Sequence, residues 1–213
     1  MVSSAKSPLM SMREQLSGFS AVKLPLKGLT TAWAEKLKKF GPVSEFSLAG
    51  IKDVISFLGP VKSFTTRYAG VEVGNWSYLL SDMRGENCYV DAYALSRATG
   101  CGAIGVTVLS CRRELQVIES GNIVREVQSL EDGDRWYFRE SGEVQSFEDP
   151  SEYSKPRKRD RLSVEALGKY FECFTGQKLP HWETLESNPA IGLQRSTKDH
   201  RGAIIAFETS CDL

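Results

Sequence analysis

The run LQVIESGNIVREVQSLEDGDRWYF, residues 115–138, decides the fold class. It contains three short segments rich in β-branched and aromatic residues, LQVI, IVREVQSL and DRWYF, separated by SGN and by EDGD. The Asp132-Gly133 pair favours a tight hairpin turn, because both residue types adopt positive φ at low cost. The run therefore predicts a C-terminal antiparallel meander of three strands.

Segments on either side of the meander predict further strands. AIGVTVL (103–109) is apolar without alternation, which is typical of a central strand covered on both faces. SFTTRY (63–68) and WSYLLSDM (76–83) predict two more strands, and AIIAF (203–207) predicts a last buried one. The predicted fold class is therefore α+β, with a mostly antiparallel sheet.

Apolar residues at helical spacing predict about four helices that pack on this sheet. They are expected at 31–40, at 51–58 with Ser47 as N-cap, within GENCYVDAYALSRATG (85–100), and from Ser163 to Gly176. Residues 1–20 carry weak periodicity and are expected to form a mobile N-terminus. The interpretation is a single α+β domain over residues 21–213.

The meander is expected to bury one face, since an antiparallel sheet of this size needs one covered face to be stable. Trp136 and Phe138 alternate with polar residues and are predicted to point into the core. Leu167, Tyr170 and Phe171 of the last helix are predicted to pack over them.

The composition restricts the classes of partner. Lys plus Arg and Asp plus Glu each number 27, so no net field attracts the whole chain to nucleic acid or to an anionic membrane. No apolar run is long enough for a secretory signal or for a membrane span. The chain is therefore expected to be cytoplasmic, without a membrane partner and with nucleic acid disfavoured.

The cysteines and histidines argue against disulfides, metals and cofactors. The five cysteines form an odd set with no C-x-x-C pair, which indicates reduced thiols and not a zinc site or a disulfide framework. The two histidines, His181 and His200, limit mechanisms that need imidazole. No metal or cofactor is expected.

Cys88 has two interpretations, because it falls at the expected first turn of the third helix. A thiol there feels the positive end of the helix dipole, which favours a nucleophilic thiolate, and His200 with Asp199 would complete a papain-like cysteine hydrolase. Against this, helical spacing puts Cys88 on the face of Ala92 and Leu95, and no oxyanion donor such as Gln closely precedes it. We favour the core interpretation, since free cysteine is among the most buried residue types.

The motif GCGAIG (100–105) has the G-x-G-x-x-G spacing of dinucleotide-binding loops. That fingerprint needs a strand before it and a helix after it, whereas here the expected helix precedes and the strand follows. Gly100 is therefore interpreted as a helix C-cap, and Gly102 and Gly105 as turn and strand positions.

The charged connection 140–161 is the candidate site for a protein partner. Acidic residues come first and the basic run KPRKRDR (155–161) follows, so both signs are present, which favours a protein over a polyanion. Loops held by rigid elements often carry binding residues. The alternative is an ordinary solvated loop. The residues predicted to contact a partner are Glu140, Glu143, Phe147, Glu148, Asp149, Tyr153, Arg157 and Arg159, with the two aromatic residues as anchors.

Two segments, GNWSYLLSDMRGENCYVDAYALSRATGCGAIGVTV (74–108) and EDGDRWYFRESGEVQSFEDPSEYSKPRKRDRLSVEALGKYF (131–171), carry a family resemblance. Together they resemble a poorly characterised group of bacterial standalone proteins that are similar to immunity proteins of polymorphic toxins. The resemblance spans about residues 75–174 and depends on spacing more than on a signature motif. It implies a non-enzymatic protein that binds and neutralises a cognate toxin, and it carries over no catalytic residue.

Overall fold

The computed structural model describes residues 18–59, 65–81, 88–109, 111–178 and 185–196. Within them, nine strands form one sheet: β1 (Gly18–Val22), β2 (Val43–Leu48), β3 (Thr65–Val73), β4 (Trp76–Ser81), β5 (Ala103–Val108), β6 (Arg112–Glu119), β7 (Asn122–Asp132), β8 (Arg135–Gly142) and β9 (Ala190–Ser196). The order is β2-β9-β3-β4-β1-β5-β6-β7-β8, and every neighbouring pair is antiparallel. The predicted α+β class is confirmed.

Four helices pack on the sheet within the same residues: α1 (Leu26–Lys38), α2 (Ile51–Leu58), α3 (Cys88–Thr99) and α4 (Val164–Thr175). The prediction of about four helices is confirmed, and so is Ser163 as the N-cap of α4, since its hydroxyl accepts a hydrogen bond from the Ala166 amide. The prediction of Ser47 as N-cap of α2 is wrong, because Ser47 lies in β2. Asp53 instead accepts a hydrogen bond from the Ala49 amide at 2.9 Å.

The sheet has two covered faces, which define two apolar cores. The first face is covered by α2 and α4 and buries side chains such as Val54, Leu167 and Phe171. The second face is covered by α1 and α3 and buries Trp33 and Leu95. Strands between these helices therefore contribute apolar side chains to both faces.

The sequence of β5 lacks alternation because this strand contributes apolar side chains to both faces of the sheet. Ile104 and Val106 belong to the core on the first face, whereas Ala103 belongs to the core on the second face. β5 lies between β1 and β6, next to the middle strand of the sheet. The prediction of a buried central strand at 103–109 is confirmed for 103–108.

The meander of β6, β7 and β8 alternates, as predicted. Leu115, Val117 and Val127 pack in the core on the first face. Polar residues alternate with them and lie on the second face, where the Gln128 amide donates to Glu114 at 2.6 Å. In β5 to β8 each strand pairs with the next in sequence, so the meander continues directly from the central part of the sheet.

Two predicted boundaries in the N-terminal part of the chain differ from the structure. α1 begins at Leu26 and not at 31, directly after Pro25, and the hydroxyls of Thr30 and Thr31 donate to carbonyls one turn earlier. β1 begins at Gly18, so the domain boundary predicted at residue 20 falls inside a strand. The strand predicted at 203–207 lies outside the described residues.

Candidate functional site

The connection from β8 to α4 crosses the first face of the sheet. It contains two short 3-10 turns, Pro150–Glu152 and Lys158–Asp160. We call residues 140–161 the charged segment. Its first three residues, 140–142, are the last residues of β8, and its last residue lies two positions before Ser163, the N-cap of α4. Both ends are thus held by regular structure.

A buried arginine of β7 fastens the charged segment to the sheet. Arg125 is 1% exposed, and its Nε donates to both carboxylate oxygens of Glu148 at 3.0 and 3.1 Å. Its Nη2 donates to Glu140 at 2.7 Å, and its Nη1 donates to the Gly142 carbonyl at 3.1 Å. Burial alone would lower the pKa of Arg125, but the hydrogen bonds to Glu148 and Glu140 raise it above the ordinary value. The guanidinium is therefore charged and has acceptors on every nitrogen.

Tyr153 completes this cluster. Its hydroxyl donates a hydrogen bond to Glu148, while the Gln145 amide donates to the other carboxylate oxygen at 2.7 Å. Burial and the hydrogen bond to the carboxylate raise the pKa of the Tyr153 phenol. The Arg125 guanidinium lies 5.5 Å from the centre of the Tyr153 ring. Glu148 is therefore an internal acceptor for three partners and has no room for an external one.

Gly142 allows this close approach. Its φ is +79°, and a Cβ at this position would lie 2.0 Å from the Val124 carbonyl oxygen. Only glycine fits such a position without a shift of the backbone. The main chain can therefore turn at the end of β8 while the Gly142 carbonyl faces Arg125.

The structure divides the eight predicted contact residues into two groups. Glu148 and Tyr153 are buried, and Phe147 is half-buried against Tyr170 and Phe174 at 6.1 and 5.8 Å between ring centres. These three residues support the segment from inside. Tyr153 is 7% exposed and presents little surface to a partner, whereas Phe147 keeps partial exposure, and its role as an aromatic anchor stays a prediction. The predicted residues that are exposed are Glu140, Glu143, Asp149, Arg157 and Arg159.

The aromatic residues of β8 differ partly from the prediction. Phe138 packs against the core on the first face and lies 5.6 Å from the Tyr153 ring. Trp136 is half-buried, and the guanidinium carbon of Arg113 lies 5.9 Å from the centre of its ring. The position predicted for Trp136, beneath Leu167 and Phe171 in the core, is therefore wrong. β8 is the edge strand on this side of the sheet, and of these two rings only Phe138 packs against the core.

The basic part of the charged segment packs back on the meander through its main chain. The Ser129 hydroxyl donates to the Lys158 carbonyl at 3.0 Å, and Arg113 donates to the Arg159 carbonyl at 2.7 Å. The side chains of Arg157, Lys158 and Arg159 remain exposed. The sequence interpretation included Arg157 and Arg159 among the contact residues but not Lys158, and it gave no sign of these supports from β6 and β7.

The second face of the meander carries a shallow cavity of about 270 Å³. It is lined by Gln128, Leu130, Asp132, Tyr137 and Arg139. Leu130 and Tyr137 are paired across β7 and β8 and are 37% and 39% exposed. A polar sheet face with an exposed tyrosine thus lies directly beside the basic run.

Of the residues proposed for a cysteine hydrolase, the structure describes only the backbone of Cys88. Cys88 is the first residue of α3, as expected. Gly100, with φ of +73°, follows this helix, and β5 comes after it. The helix thus precedes the GCGAIG motif and the strand follows it, which is the reverse of the order in dinucleotide-binding loops. Ala92 and Leu95, which were predicted to share a face with Cys88, are buried. The side chain of Cys88 and the whole of Asp199 and His200 lie outside the described residues.

Cys88 is expected to resist alkylation by iodoacetamide in the native protein, since a core thiol is not accessible to the reagent. Cys88→Ala should lower the unfolding free energy by about 1 to 2 kcal/mol. Mass spectrometry after timed labelling measures the first quantity, with the exposed Cys111 and Cys173 as internal controls. Labelling of Cys88 faster than these two thiols would support the hydrolase.

Within the part of the chain that the structure describes, no cluster of three or more His, Cys, Asp and Glu side chains is arranged to hold a metal ion. None of the described helices is both long and apolar enough to cross a bilayer. Comparison with protein-family models, with curated proteins and with solved structures gives no significant match for this chain.

Proposed function

We propose that the chain is a cytoplasmic, non-enzymatic binding protein that neutralises a bacterial toxin by direct contact, in the manner of an immunity protein. The observation that carries the proposal is the buried pairing of Arg125 with Glu148, which holds the charged segment on the sheet. A segment fixed in this way loses little conformational entropy when a partner binds to its outer side chains.

The titratable groups gathered in this cluster favour binding over catalysis. Arg125, Glu148 and Tyr153 are each less than a tenth exposed, and both Arg125 and Tyr153 donate hydrogen bonds to Glu148. A catalytic acid or base must reach a proton of the substrate, and these buried groups face the interior. Their role is to position the exposed side chains of the segment.

The cysteine hydrolase is the second candidate. The observation in its favour is that Cys88 opens α3, the position where a helix dipole favours a thiolate. Its proposed partners are His200 and Asp199. Hydrolysis by the wild-type protein that disappears in both Cys88→Ala and His200→Ala would support this candidate over the binding protein.

The proposal requires a toxin encoded beside the gene of this chain, and expression of both in one bacterial host tests it. Wild-type protein should restore growth, while a triple variant, Asp149→Lys, Arg157→Glu and Arg159→Glu, should protect poorly at an unchanged melting temperature. All three side chains are exposed, so their reversal leaves the core intact.

A matched control reverses two exposed charges at the opposite edge of the sheet, Glu45 in β2 and Lys52 in α2. This variant should protect as well as wild type. Full protection by a folded triple variant would remove the charged segment from the interface, and toxicity that wild type does not relieve would contradict the proposed function itself.

A further inference from the structure

Acidic and basic side chains of the charged segment differ in how they are paired within the chain, and the sequence does not reveal this difference. Glu148 is buried on Arg125, and Glu140 forms an ion pair with the same guanidinium at 2.7 Å. Glu152 accepts from Lys155 at 2.6 Å and from the Ser163 amide at 3.1 Å. Three carboxylates of the segment are therefore neutralised by groups of the chain itself.

Arg157, Lys158 and Arg159 are not neutralised in this way. Among the described residues, no carboxylate forms an ion pair with Arg157 or Lys158. Arg159 lies 3.7 Å from Asp160, with both side chains more than half exposed, and such a surface pair contributes little. The outward charge of residues 157–159 is therefore positive.

These cations stand on a rigid base beside an exposed aromatic ring. The Lys158 and Arg159 carbonyls accept hydrogen bonds from Ser129 and Arg113 of the meander. The Lys158 ammonium lies 6.0 Å from the centre of the Tyr137 ring. Arginine and tyrosine are enriched at the centres of protein interfaces, where rigid side chains lose little entropy.

We infer that the basic surface made by Tyr137, Arg139, Arg157, Lys158 and Arg159 docks an acidic patch of a folded protein partner. The inference rests on the proposed function and adds the chemistry of the toxin surface that is bound. Charge complementarity is the basis: unpaired cations on the chain call for carboxylates on the partner.

Nucleic acid fits this surface less well than an acidic protein does. Single-stranded nucleic acid binds through several open ring faces set along a basic groove. Here each ring of β8 already carries a cation of the chain, namely Arg113 on Trp136, Lys158 on Tyr137 and Arg161 on Phe138.

The first test is direct titration with two labelled probes, poly-L-glutamate and poly(U) RNA of equal length, followed by fluorescence anisotropy. Poly-L-glutamate should bind, and its affinity should fall as salt is raised, because the contacts are exposed charges. RNA bound as tightly as poly-L-glutamate, or tighter, would overturn the commitment to a protein partner. Absence of poly-L-glutamate binding would overturn the inference.

The second test compares toxin binding by a variant that reverses the basic residues with binding by a variant that reverses an exposed acidic residue. Arg157→Glu with Lys158→Glu and Arg159→Glu should weaken toxin binding by at least about 100-fold, since like charges then face each other. Glu143→Lys should change it by less than about threefold, because this exposed acid lies outside the basic surface. Circular dichroism melting confirms that both variants fold.

The outcomes are distinguishable. If wild type binds the toxin and the basic variant binds equally well, the inference fails and the proposed function stands. If wild type binds poly-L-glutamate through these three cations but does not bind the toxin, the surface chemistry is right and the proposed function is wrong.

Discussion

Glu148→Ala is expected to lower the unfolding free energy by about 3 to 5 kcal/mol, because it removes the carboxylate that faces the buried Arg125 guanidinium. Glu140 remains, but its side chain is 45% exposed and it contacts only one nitrogen of Arg125. The Tyr153 hydroxyl and the Gln145 amide lose an acceptor in the same change. An uncompensated buried charge with orphaned donors costs far more than the loss of a surface pair.

Urea unfolding at neutral pH measures this effect, with Glu143→Ala as the matched surface control that should leave the unfolding free energy unchanged within error. A triple variant, Arg125→Met with Glu148→Leu and Tyr153→Phe, should be less destabilised than Glu148→Ala, because no buried charge is left unpaired and Glu140 is 45% exposed. Equal stability of Glu148→Ala and wild type would show that the pair does not hold the charged segment.

Strands and helices with a single strong pattern could be predicted from the sequence. β5 is recognisable because both of its faces are apolar, and the meander because its apolar residues alternate around an Asp-Gly turn. The fourth helix has both a serine N-cap and a glycine at φ of +69° after its last residue. In each case local residues alone specify the element.

β1, β2 and β9 were missed because their patterns are weak or depend on distant packing. β2 is an edge strand with four exposed central residues, so it lacks the alternation that marks a half-buried strand. β9 contains Gly192, a residue that weakens strand propensity. The glycine is needed, because a Cβ there would lie 2.7 Å from the Phe57 ring of α2. That constraint comes from a helix more than a hundred residues earlier.

The location of the candidate site could be predicted, but the roles of its residues could not. A long charged connection between two regular elements is visible in the sequence. Nothing local shows that Glu148 pairs with Arg125, 23 residues earlier on β7, or that Tyr153 turns inward with it. An alternation signal does exist, since Arg125 shares a face with the buried Val127, and a charge at such a position demands an internal partner.

Phe171→Ala should lower the unfolding free energy by about 3 to 5 kcal/mol, because it empties a fully buried site between the first face and α4. Its ring lies 5.7 Å from that of Tyr78, so the change also removes an aromatic contact of the core. The m-value of urea unfolding should stay constant, which would show that only stability has changed.

Trp136→Ala is the informative comparison, since both residues were expected to share one core. Trp136 is half-buried and packs under Arg113, so its removal should cost only about 1 to 2 kcal/mol. A loss as large as that of Phe171→Ala would place the indole in the core and contradict its position at the edge of the meander. Arg113→Ala separates the two contributions, because it removes the cation from the indole face and the hydrogen bond to the Arg159 carbonyl while leaving the core untouched. If Trp136 acts through Arg113, the double variant should lose less stability than the sum of the two single losses.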